Sequence, residues 1–199
     1  MGRLLLVRHG ESEWNAERRW QGWHDVPLSP RGEAQAKRAA EQLRWLLANQ
    51  VVRAVAASDL ARARQTAEIL TEGLGLGPVL TDRRLRERNV GEWSGLTEAE
   101  VEARFPGMLG RWRTGELDRI PGGESNAEVL ERALAAVRDL RSGPADGWTI
   151  AVTHGGLIRV LERHVGVHSE RIPNLCGRWL HFEGTEITGG ETFVLEDGP

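Results

Sequence analysis

The sequence predicts an α/β fold: a three-layer sandwich whose central sheet is mainly parallel and is flanked by helices on both faces. Three observations carry this expectation. Short aliphatic or β-branched runs recur at residues 4–7, 51–57, 79–81 and 149–153. Stretches with apolar residues at helical spacing alternate with them, which is the pattern of strand-helix-strand crossover units. Polar, chemically capable residues follow directly behind the runs, so the sheet would gather them on one rim, at the carboxyl ends of its strands.

The elements follow in order. Leu4-Leu5-Leu6-Val7 is wholly aliphatic and reads as a buried central strand. Ser29-Pro30 supplies an N-cap and a first-turn proline, and Ala36, Ala40, Leu43 and Leu47 recur at helical spacing to about Asn49. The run at 51–57 is a second strand. A helix then starts near Leu60 and stops at Gly73-Leu74-Gly75, ahead of Pro78 and a third strand at 79–81. Thr97 with Glu100, and Ser125 with Glu128, have capping-box spacing, the latter opening a helix to about Arg141. Thr149-Ile150-Ala151-Val152-Thr153 is a fourth strand, with a further helix after its terminal His154-Gly155-Gly156. A closing pair of strands is expected at 178–183 and 192–195, with 184–191 as their connection. No repeat or interdomain linker interrupts the chain, so residues 1–199 read as a single domain. Residues 88–126, with several glycines and prolines and short helical patches, read as a lid or insert.

Chemistry concentrates at four places. Arg8-His9-Gly10-Glu11 leaves the first strand; an imidazole is a credible nucleophile near neutral pH, and a guanidinium matches the oxygens of a phosphoryl group. Ser58-Asp59-Leu60-Ala61-Arg62 brings a second arginine to a strand-to-helix junction. Leu85-Arg86-Glu87-Arg88 places a carboxylate after the third strand. His154-Gly155-Gly156 ends the fourth, with glycines that permit close backbone approach.

Taken in order, these segments resemble the signature set of the phosphoglycerate-mutase-like histidine phosphatase superfamily. The matching pieces are Arg8-His9-Gly10-Glu11-Ser12 with Trp14-Asn15, Gln21-Gly22 with Asp25 and Pro27-Leu28-Ser29, and Ser58-Asp59-Leu60 with Arg62-Ala63 and Gln65-Thr66-Ala67. Glu87 with Gly91, Trp93 and Gly95-Leu96, then Pro121-Gly122-Gly123-Glu124-Ser125, and Thr153-His154-Gly155-Gly156 complete it. The resemblance implies a phosphoglycerate-mutase-like fold and a phosphomonoesterase that needs neither metal nor cofactor. His9 would form a phosphohistidine; Arg8, Arg62 and His154 would surround the phosphoryl oxygens; and Glu87 would protonate the leaving group and then deprotonate water. Asn15 and Gln21 would donate neutral hydrogen bonds to phosphate or leaving group, and Gly155 would lend a backbone N–H from a helix start. The implied substrate is a small phosphorylated metabolite.

Competing readings remain at this stage. Glu87 lies among Arg83, Arg84, Arg86 and Arg88, so an exposed ion-pair cluster is its bland alternative. Arg64 is expected to face solvent, with Arg62 two positions earlier as the functional arginine. His24, His164, His168 and His181 read as surface or structural histidines. Trp14, Trp20 and Trp23 either line a pocket for an apolar leaving group or pack the first loop. Cofactor-dependent phosphoglycerate mutase is the runner-up activity. Its members carry a longer insert with paired arginines and a proline-rich run, of which Arg111-Trp112-Arg113 is a partial echo, whereas Pro121-Gly122-Gly123-Glu124-Ser125 resembles the phosphatase branch. A phosphoprotein phosphatase is a third reading. A catalytically silent module would be expected to have lost His9, Glu87 or His154, and all are present.

Composition agrees with an ordinary globular enzyme. The 199 residues are 40% hydrophobic and 28% charged, with a net charge of -3. No basic stripe points to nucleic acid, and Lys37 is the only lysine among 26 basic residues. No apolar run approaches the roughly 18 residues of a membrane span, and residues 4–7 are too short for a signal-peptide core. Cys176 stands alone, so no intrachain disulfide can form, and a cytoplasmic location is expected. The resemblance leaves a homodimer open.

Overall fold

A computed structural model describes residues 2–141, 147–168 and 171–194. Six strands form one sheet: β1 (Gly2–Arg8), β2 (Val52–Ala57), β3 (Leu80–Thr81), β4 (Trp148–Thr153), β5 (Gly177–Glu183) and β6 (Glu186–Phe193). Their order is β3-β2-β4-β1-β5-β6. The first four are parallel, while β5 and β6 extend the sheet antiparallel to β1.

Because side chains alternate along a strand, β1 feeds both faces. Leu4 and Leu6 join a core with Val129, Ala133, Val137, Leu157 and Leu161. Those partners lie on helices α6 (Asn126–Arg141) and α7 (Gly155–His164). Leu5 and Val7 instead join Ala40, Leu43, Ala63 and Leu70 on α2 (Pro30–Leu46) and α3 (Ala61–Leu74). The result is the expected three layers.

Local chemistry sets the helix ends. Ser29 Oγ accepts from Gly32 N and Pro30 opens α2, which stops at Leu46, short of Asn49. Leu60, the N-cap of α3, has no side chain able to cap; Asp25 Oδ1 accepts from Ala61 N at 2.6 Å instead. Thr97 and Glu100 form the capping box of α4 (Glu98–Arg104). A short α1 (Glu13–Ala16), which hydrophobic periodicity did not signal, is closed by a Ser12–Asn15 capping box. Residues 89–124 also hold α5 (Met108–Thr114) and a small core of Val90, Trp93, Val101, Leu109 and Ile120. The ends of that segment meet: Glu124 N donates to Asn89 O and Asn89 N to Glu124 Oε2.

The closing strands require a correction. β6 occupies Glu186–Phe193, inside the stretch expected to be a connection, and the turn shrinks to Gly184 and Thr185; Leu195 lies outside the described residues. The sequence misleads here because Gly189-Gly190 reads as a turn. The glycines are in fact sites of close approach. A Cβ at Gly189 would stand 3.0 Å from Val165 and Val167 methyls, and one at Gly190 would stand 2.6 Å from His181 Nε2.

Candidate active site

Arg8 and Thr153 are register partners on neighbouring parallel strands, so the next residues, His9 and His154, leave the sheet side by side. Their ring centroids are 5.0 Å apart at an interplanar angle of 63°. Both imidazoles are buried.

His9 is held on two sides. Its Nδ1 lies 2.6 Å from Gly10 O, an acceptor only, so Nδ1 carries the proton. Nε2 faces the Nε–H of Arg62 at 3.3 Å and therefore presents a lone pair. Burial, reinforced by Arg62 and Arg8, pushes the His9 pKa well below that of a free imidazole, so the ring is neutral at pH 7. This is the protonation state and tautomer that a nucleophile needs.

Arg62 is buried at the first turn of α3. Besides its bond to His9, it donates from Nη1 to His24 O at 2.8 Å and from Nη2 to Gly22 O at 2.9 Å. The Gln21-Gly22 and Asp25 segment thus does two jobs: Asp25 caps the helix and the Gly22 and His24 carbonyls aim its arginine. Arg8 donates to Ile172 O at 2.7 Å and reaches Asn15 Oδ1 at 3.5 Å. Burial lowers both guanidinium pKa values to about 10, which leaves them charged at neutral pH.

His154 has no hydrogen-bond partner at either ring nitrogen among the described residues. Burial and the nearby Arg62 push its pKa well below the ordinary value, so it too is neutral. An imidazole N–H left unpaired inside the protein costs about 1–3 kcal/mol, and a substrate oxygen beside His9 would pair it.

Glu87 reaches this centre from the loop after β3. Its Oε1 accepts from Arg88 N at 2.8 Å and its Oε2 from Gly156 N at 3.1 Å. A Cβ at Gly156 would meet Oε1 at 2.3 Å, so only glycine lets the carboxylate lie where it does. The neighbouring arginines do not claim it: Arg84 bonds Asp82 and Asp139, and Arg86 is bidentate to Asp59. Gly155 opens α7 against Arg8, with its Cβ position 3.5 Å from Arg8 Cδ.

The two amides are oriented by their oxygens. Asn15 Oδ1 accepts from Ser12 N at 3.3 Å, and Gln21 Oε1 accepts from Ser12 Oγ at 2.9 Å. Their NH2 groups are the ends that can donate to a ligand.

The tryptophans separate into different environments. Trp20 packs on the segment core, 5.2 Å from Trp93, whereas Trp14 lies 5.0 Å from the His24 ring. Trp23, 40% exposed, donates its indole N–H to Glu87 O. Arg64 pairs with Glu68 at the surface, as expected.

Two supporting residues escaped the sequence reading. Asn174 donates to His9 O at 2.8 Å. Arg132 donates to Arg84 O, Arg86 O and Glu87 O, fixing the loop that carries Glu87. Both bond to backbone carbonyls, a task that leaves no spacing signature.

The resemblance extends over the chain. The profile of the histidine phosphatase superfamily (branch 1) matches residues 4–193. A glucosyl-3-phosphoglycerate phosphatase of Mycolicibacterium vanbaalenii is 36% identical, covering 98% of this chain and 90% of its own. A probable phosphoglycerate mutase of Escherichia coli is 39% identical over 78% of this chain and 70% of its own. The crystal structure of a mycobacterial glucosyl-3-phosphoglycerate phosphatase in complex with VO3 superposes with a TM-score of 0.80 at 34% identity, covering 91% of this chain and 93% of that one. Sequence, fold and the ordered motifs agree: the chain belongs to the histidine phosphatase superfamily, branch 1.

Proposed function

We propose that this protein hydrolyses the phosphate monoester of a small metabolite through a phosphohistidine on His9, with no metal ion taking part. The observation that supports this most directly is the buried pair of neutral imidazoles, one offering a lone pair toward Arg62 and the other an unpaired N–H.

In the first displacement the Nε2 lone pair attacks phosphorus in line. The bond from phosphorus to the leaving oxygen breaks, its electrons go to that oxygen, and Glu87 supplies the proton. Arg8, Arg62 and His154 hold the three equatorial oxygens, with the Asn15 and Gln21 amides and the Gly155 N–H as further donors. In the second displacement water gives its proton to Glu87 and attacks phosphorus, and the N–P electrons return to Nε2. The VO3 bound by the mycobacterial relative is an oxyanion of the kind such a cradle would accept. Residues 88–126 would act as a lid on the single domain. No helix among the described residues is long and apolar enough to cross a membrane, and a chain with a single cysteine suits a reducing cytoplasm.

The test is phosphoenzyme trapping combined with turnover of aryl and alkyl phosphates. His9→Ala should abolish labelling and lower kcat by at least about 10³-fold. Glu87→Gln should slow alkyl esters by roughly 10²-fold or more while sparing p-nitrophenyl phosphate, whose nitrophenolate leaves without a proton. Activity should survive a chelator. Labelling that persists in His9→Ala would overturn the mechanism, and faster phosphate exchange than hydrolysis with a bisphosphoglycerate primer would favour the mutase.

A further inference from the structure

The turn that carries His9 out of β1 is built on a glycine and has to be held from outside. A Cβ at Gly10 would stand 2.7 Å from Gly32 O, so no larger residue fits there. Glycine in turn leaves the backbone behind His9 free to adopt many conformations. The His9 ring depends on that backbone, because Gly10 O accepts its Nδ1–H. Three groups from separate elements restrain it. Thr153 O, at the end of β4, accepts from His9 N at 3.0 Å. The peptide group joining His9 to Gly10 is gripped at both ends: Thr66 Oγ1 on α3 accepts from its N–H at 3.1 Å, and Asn174 Nδ2 donates to its carbonyl oxygen at 2.8 Å. Thr153 and Thr66 belong to the ordered motifs, whereas Asn174 lies outside them, between α7 and β5.

The stretch around Asn174 is tied to the strand end that it serves. Arg8 N donates to Cys176 O at 2.9 Å, Leu175 N donates to Arg8 O at 3.0 Å, and Arg8 Nη1 donates to Ile172 O at 2.7 Å. Among these contacts Leu175 has a φ of +58°, in the left-handed region, although its bulky side chain is buried in the core that α2 and α3 share with the sheet. A leucine keeps such a conformation only where its surroundings impose it, and strain of this kind gathers where geometry serves function. The left-handed turn and its bonds to Arg8 set Asn174 against the His9 carbonyl. The same NH2 group faces Asn15 Oδ1 at 3.5 Å, so its second hydrogen is turned toward the same loop.

We propose that Asn174 is a positioning residue for the nucleophile: together with Thr66 it clamps the His9–Gly10 peptide, and so fixes Gly10 O and the ring orientation that aims His9 Nε2 at phosphorus. This rests on the phosphohistidine mechanism and adds to it a residue that touches no substrate atom. The group that holds the carbonyl must be a donor, since a carbonyl oxygen only accepts. With the clamp open the peptide turns, Gly10 O leaves Nδ1, and the ring loses both its fixed tautomer and its angle of attack. A displacement of about 1 Å at a reacting atom costs roughly 10²-fold in rate.

The test uses Asn174→Leu and Asn174→Asp, which keep the branched outline of the side chain, the first without polar atoms and the second with acceptors facing the His9 carbonyl. kcat/KM, which reports phosphoryl transfer to His9, is measured on p-nitrophenyl phosphate and glycerol 3-phosphate. Each value is divided by the fraction folded, taken from urea unfolding of the same variant, so that a loss of stability alone cancels. Both variants should lose about 10–10²-fold, equally on the two esters, because placement of the nucleophile matters to good and poor leaving groups alike and proton transfer does not. Combined with Thr66→Val, Asn174→Leu should cost less than the product of the two single losses, because a peptide released at one end is already free to turn. An unchanged corrected value in either variant, a loss confined to glycerol 3-phosphate, or losses that multiply in the double variant would overturn the positioning role and leave His9 as nucleophile untouched. Failure of the unmodified protein to form a phosphoenzyme with either ester would instead overturn the mechanism on which that role rests.

Discussion

Gly156 shows how a single hydrogen atom in place of a methyl sets the carboxylate proposed as the acid. An alanine Cβ there would stand 2.3 Å from Glu87 Oε1, and the carboxylate, as the movable partner, would swing away from the Gly156 N–H that now holds it. The helix itself would not suffer, because alanine is the better helix former by about 1 kcal/mol. Gly156→Ala should therefore keep the unfolding temperature while reducing kcat for alkyl phosphates by roughly 10–10²-fold, with p-nitrophenyl phosphate affected much less. Equal losses on both ester classes, measured side by side, would mean that the glycine serves something other than proton transfer. The residues that bear charge or a lone pair, Arg8, His9, Arg62, Glu87 and His154, were legible in the sequence because their types are scarce at strand ends and chemically distinctive. Asn174 and Arg132 were not, since they grip main-chain carbonyls that every residue possesses.

At the level of elements, the loop carrying Glu87 hangs from α6 by one side chain. Arg132 Nη1 donates to Arg84 O and Arg86 O at 2.9 and 2.6 Å, and Nη2 to Glu87 O at 2.9 Å. Its other edge is bidentate to Glu124, whose Oε2 also accepts from Asn89 N. This gives the Gly122-Gly123-Glu124 stretch a physical purpose: it positions the guanidinium that holds the Glu87 loop. Arg132→Met removes the side-chain donor from the Arg84 and Arg86 carbonyls and leaves a largely buried Glu124 carboxylate without its cationic partner, so about 2–4 kcal/mol of stability should be lost. Arg132→Lys should restore part of the stability but not the three-carbonyl grip, and should still show a larger kcat deficit on alkyl than on aryl esters. A lysine variant with unaltered discrimination between the esters would confine Arg132 to a purely structural part. Helix starts were readable because Ser29 and Thr97 carry their caps in sequence, as were the strands with aliphatic runs. The cap of α3 was hidden because Asp25 comes from another segment, and β6 was hidden because its glycines answer to Val165, Val167 and His181 across the fold.

Considered as a whole, the molecule holds two imidazoles out of water and close to two guanidinium groups, and this couples its stability to pH. His9 and His154 both have folded pKa values well below 6.5, each chiefly through burial and then Arg62. Released by unfolding, both would titrate near 6.5. Above that pH neither state takes up protons, and this contribution is fully present. As pH falls below 6.5 the unfolded chain binds protons that the folded one refuses, so stability drops until the depressed folded values are reached. The slope should approach about 1.4 kcal/mol per pH unit for each histidine. The carboxylates act in a lower window: Asp59, held down by its Arg86 hydrogen bonds, and Glu128, held at about 2 by the Ser125 N–H, begin to lose their effect only as pH falls into the usual carboxylate range. Urea unfolding between pH 7.5 and about 5 therefore isolates the imidazoles. The midpoint should decline steadily over that interval, and His154→Gln should halve the decline by removing one of the two groups. A midpoint that stays level would show that these rings take up protons in the folded protein, leaving His9 a cation unable to attack phosphorus, and a decline undiminished in the variant would show that His154 contributes none of it.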